Sequence, residues 1–223
     1  MKDFVNSIFN NDSPLGRFTA WFWLVFGANV MFVLFSLPVV TAGPAFTAMY
    51  HVMLKSLRED PDRNPFREFW TGFRNSFKQS MLFWIAALLA GAFLLLEIRF
   101  CMETGGTMDY FKYALYGLLA VLLILLFHLF PVVAAFESTW KGQLGNAFFF
   151  AARNPIRALL IAALNIVPLV LTYVDYQRMP LYAFLWVIGG FGLIALIVSR
   201  LLLKDFAKYL PDPDEGLEEN ESK

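Results

Sequence analysis

Five long, uncharged apolar stretches dominate the pattern of this chain. Each is long enough to cross the hydrocarbon core of a bilayer, which takes roughly 20 helical residues at about 1.5 Å each. Backbone polar groups in lipid must be hydrogen-bonded internally, so stretches of this kind form helices. The pattern predicts about five membrane-spanning helices, at residues 20–42, 79–99, 113–136, 156–175 and 180–203.

Two amphipathic segments lie between the first and second predicted spans. In residues 44–58 the apolar positions follow helical spacing, and in residues 66–78 aromatic side chains alternate with charged ones at the same spacing. Helices of this type lie along a membrane interface. The sequence therefore predicts two interfacial helices on the cytoplasmic side. The polar or basic residues they would present are His51, Lys55, Arg58, Arg67, Arg74 and Lys78.

The predicted fold class is all-α, a polytopic transmembrane helical bundle. Residues 1–203 form one transmembrane domain, and residues 204–223 form an acidic tail. After Pro211 this tail carries six Asp and Glu residues and almost no apolar ones, which predicts a disordered cytoplasmic segment.

Short matching strings suggest an internal repeat. LPVVTA (37–42) and FPVVAA (130–135) end the first and third spans, whereas RNSFK (74–78) and RNPIR (153–157) open the second and fourth. Two spans per unit preserve orientation, which predicts a parallel repeat that relates spans 1–2 to spans 3–4 about an axis along the membrane normal. The alternative is chance similarity between apolar helices.

Composition agrees with this class and excludes others. The chain is 58% hydrophobic and only 16% charged, outside the range of ordinary soluble domains. Its net charge of zero gives no electrostatic case for nucleic acid, and its single cysteine, Cys101, cannot form an intrachain disulfide.

The basic residues predict an orientation. With five spans, thirteen Lys and Arg residues fall on the side of residues 43–79, 137–157 and the C-terminal region. The five on the other side are Lys2, Arg17, Arg99, Lys112 and Arg178. The positive-inside rule then predicts a multi-pass protein with its N-terminus outside and its C-terminus in the cytoplasm.

Signatures of enzymes are missing from the sequence. It contains no G-x-S-x-G, no HExxH, no phosphate loop and no paired cysteine ligands. The expectation is a non-enzymatic protein without catalytic residues, cofactor or metal.

Polar side chains within the predicted spans are candidates for an intramembrane polar site. They are Asn29, His128 and Asn165. Amides at such depth often hold helices together, an effect of roughly 1 kcal/mol, and a hydrogen-bonded histidine often serves packing. The alternative is contact with ligand hydroxyl groups, since polar groups in lipid need partners. The interfacial basic residues likewise fit either a partner protein or anionic lipid.

Several strings resemble a known family. They are NDSPLGRF (11–18), FSLPVVTAGPAFTAMY (35–50), FRNSFKQS (73–80) and FFFAARNPIRALL (148–160). They resemble the YesL-like family of Gram-positive bacterial integral membrane proteins over nearly the whole chain. The resemblance implies a bacterial cell-membrane location. Because the family is classed as a domain of unknown function, the resemblance transfers no catalytic or binding residue.

Genes of this family often stand beside those for carbohydrate ABC transporters, which implies an association with carbohydrate uptake. The leading expectation is a non-enzymatic accessory or regulatory component whose partners are the bilayer and a carbohydrate ABC transporter or another membrane protein. The alternative is a small transporter or channel with a site between the two helical repeats. A polar cavity that reaches the middle of the membrane would favour transport. The sequence predicts no oligomeric state.

Overall fold

The computed structural model describes residues 13–59 and 63–210. The predicted tail from Pro211 onward lies outside the described residues. Eight α-helices are numbered here in chain order. They are α1 (Pro14–Ser36), α2 (Ala42–Arg58), α3 (Pro65–Thr104), α4 (Phe111–Ala135), α5 (Trp140–Arg153), α6 (Pro155–Val174), α7 (Met179–Leu185) and α8 (Phe191–Phe206).

The described residues form an all-α bundle, as the sequence predicted. Five helical stretches are long and apolar enough to cross a membrane. They are Pro14–Ser36, Pro65–Thr104, Gly106–Ala135, Pro155–Val174 and Tyr176–Phe206. The fifth stretch joins α7 to α8 through a π-helical turn, Trp186–Gly190. The polytopic helical fold class is therefore confirmed.

The amphipathic segment 66–78 and the second predicted span form one continuous helix, α3, of 40 residues. The Asn64 side chain accepts hydrogen bonds from the backbone N–H groups of Phe66 and Arg67, and Pro65 occupies the first turn. This is a strong N-terminal cap. No proline follows within the helix, so it continues until Gly105, whose φ is 68°.

Helix α2 differs from the expected interfacial helix. It corresponds to the amphipathic segment 44–58, but most of its residues are buried against α1, α3, α4 and α8. Small residues such as Ala45 and Ala48 are fully buried and allow close packing. The polar stripe does not face a membrane surface because α3 and the end of α4 cover it. Helix α2 is thus a central element of the core.

The direction of α1 is set by its contacts with α8. The ring centroids of Phe32 and Phe191 lie 5.0 Å apart, near the start of α8. Toward the other end of both helices, the Arg200 guanidinium lies 5.6 Å from the ring centre of Trp21. The two helices therefore run antiparallel.

Helix α2 folds back along α1 and adds a sixth pass through the bundle. It runs antiparallel to α3, since Thr47 bonds Ser80 whereas Lys55, two turns later, bonds Glu68. Helices α1, α3 and α6 run one way and α2, α4 and α8 the other. We call the end where α8 finishes the base, and the end with residues 105–110 and 175–178 the top.

This arrangement differs from the predicted one in two respects. The start of α1 and the end of α8 both lie at the base, whereas five passes would put them at opposite ends. The first and third predicted spans, α1 and α4, run in opposite directions, so the helix directions do not support the parallel repeat. The string that corresponds to RNPIR (153–157) is also RNPFR (63–67) rather than RNSFK (74–78). Asn64-Pro65 and Asn154-Pro155 each stand at the start of a helix.

Candidate functional site: a polar cavity at the base

A polar cavity of about 450 Å³ opens at the base of the bundle. Its walls are the second half of α2, the first half of α3 and residues 133–138 at the end of α4. The polar side chains that line it are Thr47, His51, Lys55, Arg58, Glu59, Asn75, Ser76, Gln79, Glu137 and Ser138.

The inner part of the cavity is lined by uncharged polar groups. The hydroxyls of Thr47 and Ser80, both buried, lie 2.8 Å apart where α2 meets α3. The Gln79 amide donates to the carbonyl oxygen of Ser138 at 3.2 Å, which links α3 to the segment after α4. Hydroxyl and amide groups can both donate and accept hydrogen bonds. The inner wall therefore suits a neutral, hydrogen-bonding group or water.

Glu68 organises the charges beside the cavity. Its carboxylate accepts from Lys55 Nζ at 3.0 Å and from Arg63 Nη1 at 3.2 Å. Arg63 also pairs with Glu59. The Glu68 side chain is only 13% exposed, and these pairs connect the end of α2 to the start of α3.

His51 lies between these charges and the end of α4. Its ring hydrogen-bonds the backbone of Ala134, and its Nε2 lies 3.8 Å from Glu68 Oε2. Among the described residues, no hydrogen-bond partner satisfies this buried Nε2. Burial and the neighbouring Lys55 lower the pKa of His51, against the opposing influence of Glu68, the Ala134 hydrogen bond and Glu59. The imidazole is therefore neutral at pH 7.

This lowered pKa predicts a pH dependence of stability. Below the ordinary histidine pKa of about 6.5, the unfolded chain takes up a proton that the folded chain resists. Stability from this group is therefore complete above pH 6.5 and is lost as the pH falls. We expect His51→Gln to lose less stability than the wild type between pH 7.5 and pH 5, measured by thermal unfolding in detergent. Equal losses in both proteins would contradict this assignment.

An aromatic layer lies next to the innermost part of the cavity, since Phe46 precedes Thr47 and Trp84 lies one turn beyond Ser80. The ring of Phe130 lies 5.7 Å from that of Phe46 and 6.0 Å from that of Trp84, and Phe46 lies 4.7 Å from Phe32. Rings at these separations pack closely. None of these rings lines the cavity, whose lining residues all lie on the base side of the layer.

Comparison with known proteins agrees with the sequence resemblance. A family model described as "Protein of unknown function, DUF624" matches residues 20–98, which contain α2 and most of α3. The chain is also 27% identical over 197 residues to "Uncharacterized protein YesL" of Bacillus subtilis (strain 168), covering 86% of this chain and 89% of that protein. The chain is therefore similar to a YesL protein over most of its length, and residues 20–98 carry the match to the family model. No solved structure matches it.

The polar cavity brings together only part of the predicted cytoplasmic surface. His51, Lys55 and Arg58 line it. The other members, Arg67, Arg74 and Lys78, are exposed on α3 and do not line the cavity. Their possible contact with lipid or a partner stays a prediction.

The three predicted intramembrane polar residues do not share a site. Asn29 donates to the carbonyl oxygens of Trp186 and Val187, at 2.9 and 2.8 Å, and accepts from the N–H of Gly192 at 2.9 Å. His128 contacts the carbonyl oxygen of Ile124 in its own helix, at 2.9 Å.

Asn165 has local partners as well. It donates to the Ile161 carbonyl oxygen at 2.8 Å and hydrogen-bonds Tyr50. The void beside it measures only about 30 Å³, roughly the space for one water. All three side chains therefore have hydrogen-bond partners within the protein, and their contacts bring them to no common site.

Several cavity residues were missed by the sequence analysis. The missed residues that line the cavity are Asn75, Ser76, Gln79, Glu137 and Ser138. They lie in segments whose predicted roles rest only on aromatic and basic residues. Polar residues spaced four apart indicate a polar face on a helix. Such rows are Thr47, His51 and Lys55 on α2, and Asn75 and Gln79 on α3. Within the described residues, no three His, Cys, Asp or Glu side chains are grouped to hold a metal ion.

Proposed function

We propose that this protein is a non-enzymatic accessory or regulatory membrane component that acts through the polar cavity at its base. The observation that carries the proposal is the form of this cavity: it is polar, its lining residues lie toward the base, and the aromatic layer of Phe46, Trp84 and Phe130 packs between them and the top. A pocket of this form suits binding of a partner segment or small polar group better than passage across the membrane.

The base faces the cytoplasm in this proposal. Most of the Lys and Arg residues belong to segments at this end, among them Arg74, Arg157 and Lys204. Basic residues near the ends of spans are retained on the cytoplasmic side of a cell membrane. The cavity would then be open to cytoplasmic proteins.

The partner class that we propose is a carbohydrate ABC transporter or another membrane protein. Support comes from the family resemblance, which implies an association with carbohydrate uptake. Segments at the base of a bundle are available to a cytoplasmic subunit or loop, and the exposed basic residues of α3 border the cavity on the same helix.

Blocking the cavity tests this function. Asn75 is exposed and lines the cavity, so Asn75→Trp should obstruct it without disturbing the core. We expect a stoichiometric partner to co-purify with the wild type from native membranes and at least tenfold less of it to co-purify with Asn75→Trp. The measurement is quantitative mass spectrometry of crosslinked, affinity-purified complexes.

The matched control is Thr71→Trp. Thr71 is exposed one turn earlier on α3 and does not line the cavity, so this variant should retain the partner. Two results would overturn the proposal: no stoichiometric partner of the wild type, or equal recovery with Asn75→Trp.

A small transporter is the second candidate function. The size and polarity of the cavity favour it, because a vestibule of about 450 Å³ holds many waters or a small solute. Transport would require the aromatic layer to open. Purified protein in liposomes should show no solute flux if the first proposal is right, and flux that Asn75→Trp abolishes would establish the second instead.

A further inference from the structure

We propose that α1 and α2 form a re-entrant hairpin, which enters the membrane from the base and returns to the base without reaching the top. The cavity beneath α2 is then a water-accessible site inside the membrane that opens on one side only. This inference does not depend on whether the base faces the cytoplasm or on what the cavity binds.

The tip of the hairpin has the composition of a lipid-embedded turn. It consists of residues 37–41, between α1 and α2, and its apolar side chains are exposed: Leu37 is 73% exposed and Val39 is 63% exposed. A turn that emerged into water would be expected to carry polar residues. An exposed apolar tip is stable where hydrocarbon surrounds it.

Several polar backbone groups at the tip have partners within the protein. Thr41 Oγ1 donates to the carbonyl oxygens of Phe35, at 2.6 Å, and Pro38, at 2.8 Å. The indole N–H of Trp84, on α3, donates to the Val39 carbonyl oxygen at 2.6 Å. Non-helical backbone at membrane depth is tolerated only where such partners exist. The carbonyl groups of Phe35, Pro38 and Val39 meet this requirement.

The length of α3 limits how far the tip reaches. Trp84 contacts the tip, and the next charged side chain on α3, Glu97, lies 13 positions further along, a rise of about 20 Å. Side chains on this stretch are apolar and exposed, including Leu89 at 68% and Leu96 at 66%. The apolar part of α3 therefore extends about 20 Å past the tip, which places the tip well below the top of the bundle.

The charge distribution agrees with this topology. When α1 starts at the base, Lys2 and Arg17 belong to the same side as the C-terminal region. Fifteen of the eighteen Lys and Arg residues then lie on that side. The three at the top are Arg99, Lys112 and Arg178. Fifteen basic residues against three is a stronger asymmetry than the thirteen against five of a five-span topology. The positive-inside rule favours the topology with the larger excess on one side.

Cysteine accessibility tests the hairpin. Since Cys101 is the single native cysteine, Cys101→Ala provides the background for Leu37→Cys at the tip, Asn75→Cys in the cavity and Thr107→Cys at the top. A charged, membrane-impermeant maleimide is applied to intact spheroplasts and to inverted vesicles. We expect Asn75→Cys to be labelled from one side and Thr107→Cys from the other. Leu37→Cys should stay unlabelled from both sides, at least tenfold less than after denaturation in SDS.

Protease-sensitive tags at the two ends of the chain complete the test. Both tags should be cleaved only from the side that labels Asn75→Cys. Cleavage of the N-terminal tag from the opposite side would overturn the proposal, as would labelling of Leu37→Cys in the membrane from either side. Labelling after SDS denaturation shows that each cysteine is present and reactive, so failure to fold cannot imitate the expected pattern.

Discussion

Replacing Asn29 by leucine is expected to lower the free energy of unfolding by roughly 2–4 kcal/mol. The Asn29 side chain is fully buried, and its three hydrogen bonds satisfy the carbonyl oxygens of Trp186 and Val187 and the N–H of Gly192. These groups belong to the π-helical turn and the start of α8, where the regular helical bonding pattern changes. Leucine has a similar size but leaves them without partners.

Reversible unfolding in mixed micelles of SDS and a mild detergent measures this effect. Asn165→Leu is the matched control, since that amide donates within its own helix to Ile161 and contacts Tyr50. Single hydrogen bonds between membrane helices contribute about 1 kcal/mol, so the control should lose no more than that. If Asn29→Leu lost no more stability than Asn165→Leu, its role as the link between α1 and α8 would be refuted.

The behaviour of these two amides shows what could be predicted about polar groups in the spans. Their chemistry indicated that each needs a partner in lipid, and both have one. Which partner each amide has could not be predicted, because the groups that Asn29 satisfies become available only at a π-helical turn more than 150 residues later. Long-range contacts with irregular backbone leave no local periodicity.

The course of the chain shows a similar division. Uncharged length predicted the class and the approximate spans, because the hydrocarbon core imposes that length directly. The interpretation of α2 was limited because an amphipathic helix has the same pattern whether its apolar face meets lipid or protein. Tertiary packing decided the matter: small residues such as Ala45 and Ala48 let α2 enter the bundle. Because α2 adds a sixth pass, the start of α1 and the end of α8 lie at the same end of the bundle rather than at opposite ends.

The cavity was only partly accessible to sequence reasoning. The polar stripe that contains His51 and Lys55 was visible as a row on one helix. Its opposite wall comes from Asn75 and Gln79 on α3 and from residues after α4, and two such faces enclose a site only once the helices are packed antiparallel. One sequence without its fold predicts a polar face but not the pocket that two faces form.

Exchanging Gly43 for alanine is expected to destabilise the fold by roughly 1–3 kcal/mol, although alanine normally favours a helix. Gly43 begins α2 directly after the hairpin tip, where that helix crosses α3. A Cβ atom there would lie 2.8 Å from the Ser80 backbone carbonyl oxygen and would also overlap Trp84. Backbone atoms cannot rotate away, so α2 must move from α3, which strains the contacts of the tip and the Thr47–Ser80 pair.

Gly91→Ala provides a control with the opposite expected sign. No atom lies within 4 Å of a Cβ at Gly91, in the middle of α3, so alanine should stabilise the protein by about 0.5–1 kcal/mol through helix propensity alone. Both variants are compared with the wild type by the same micellar unfolding measurement. Stabilisation by Gly43→Ala would contradict the close crossing of α2 and α3, because only that contact reverses the intrinsic preference of a helix for alanine over glycine.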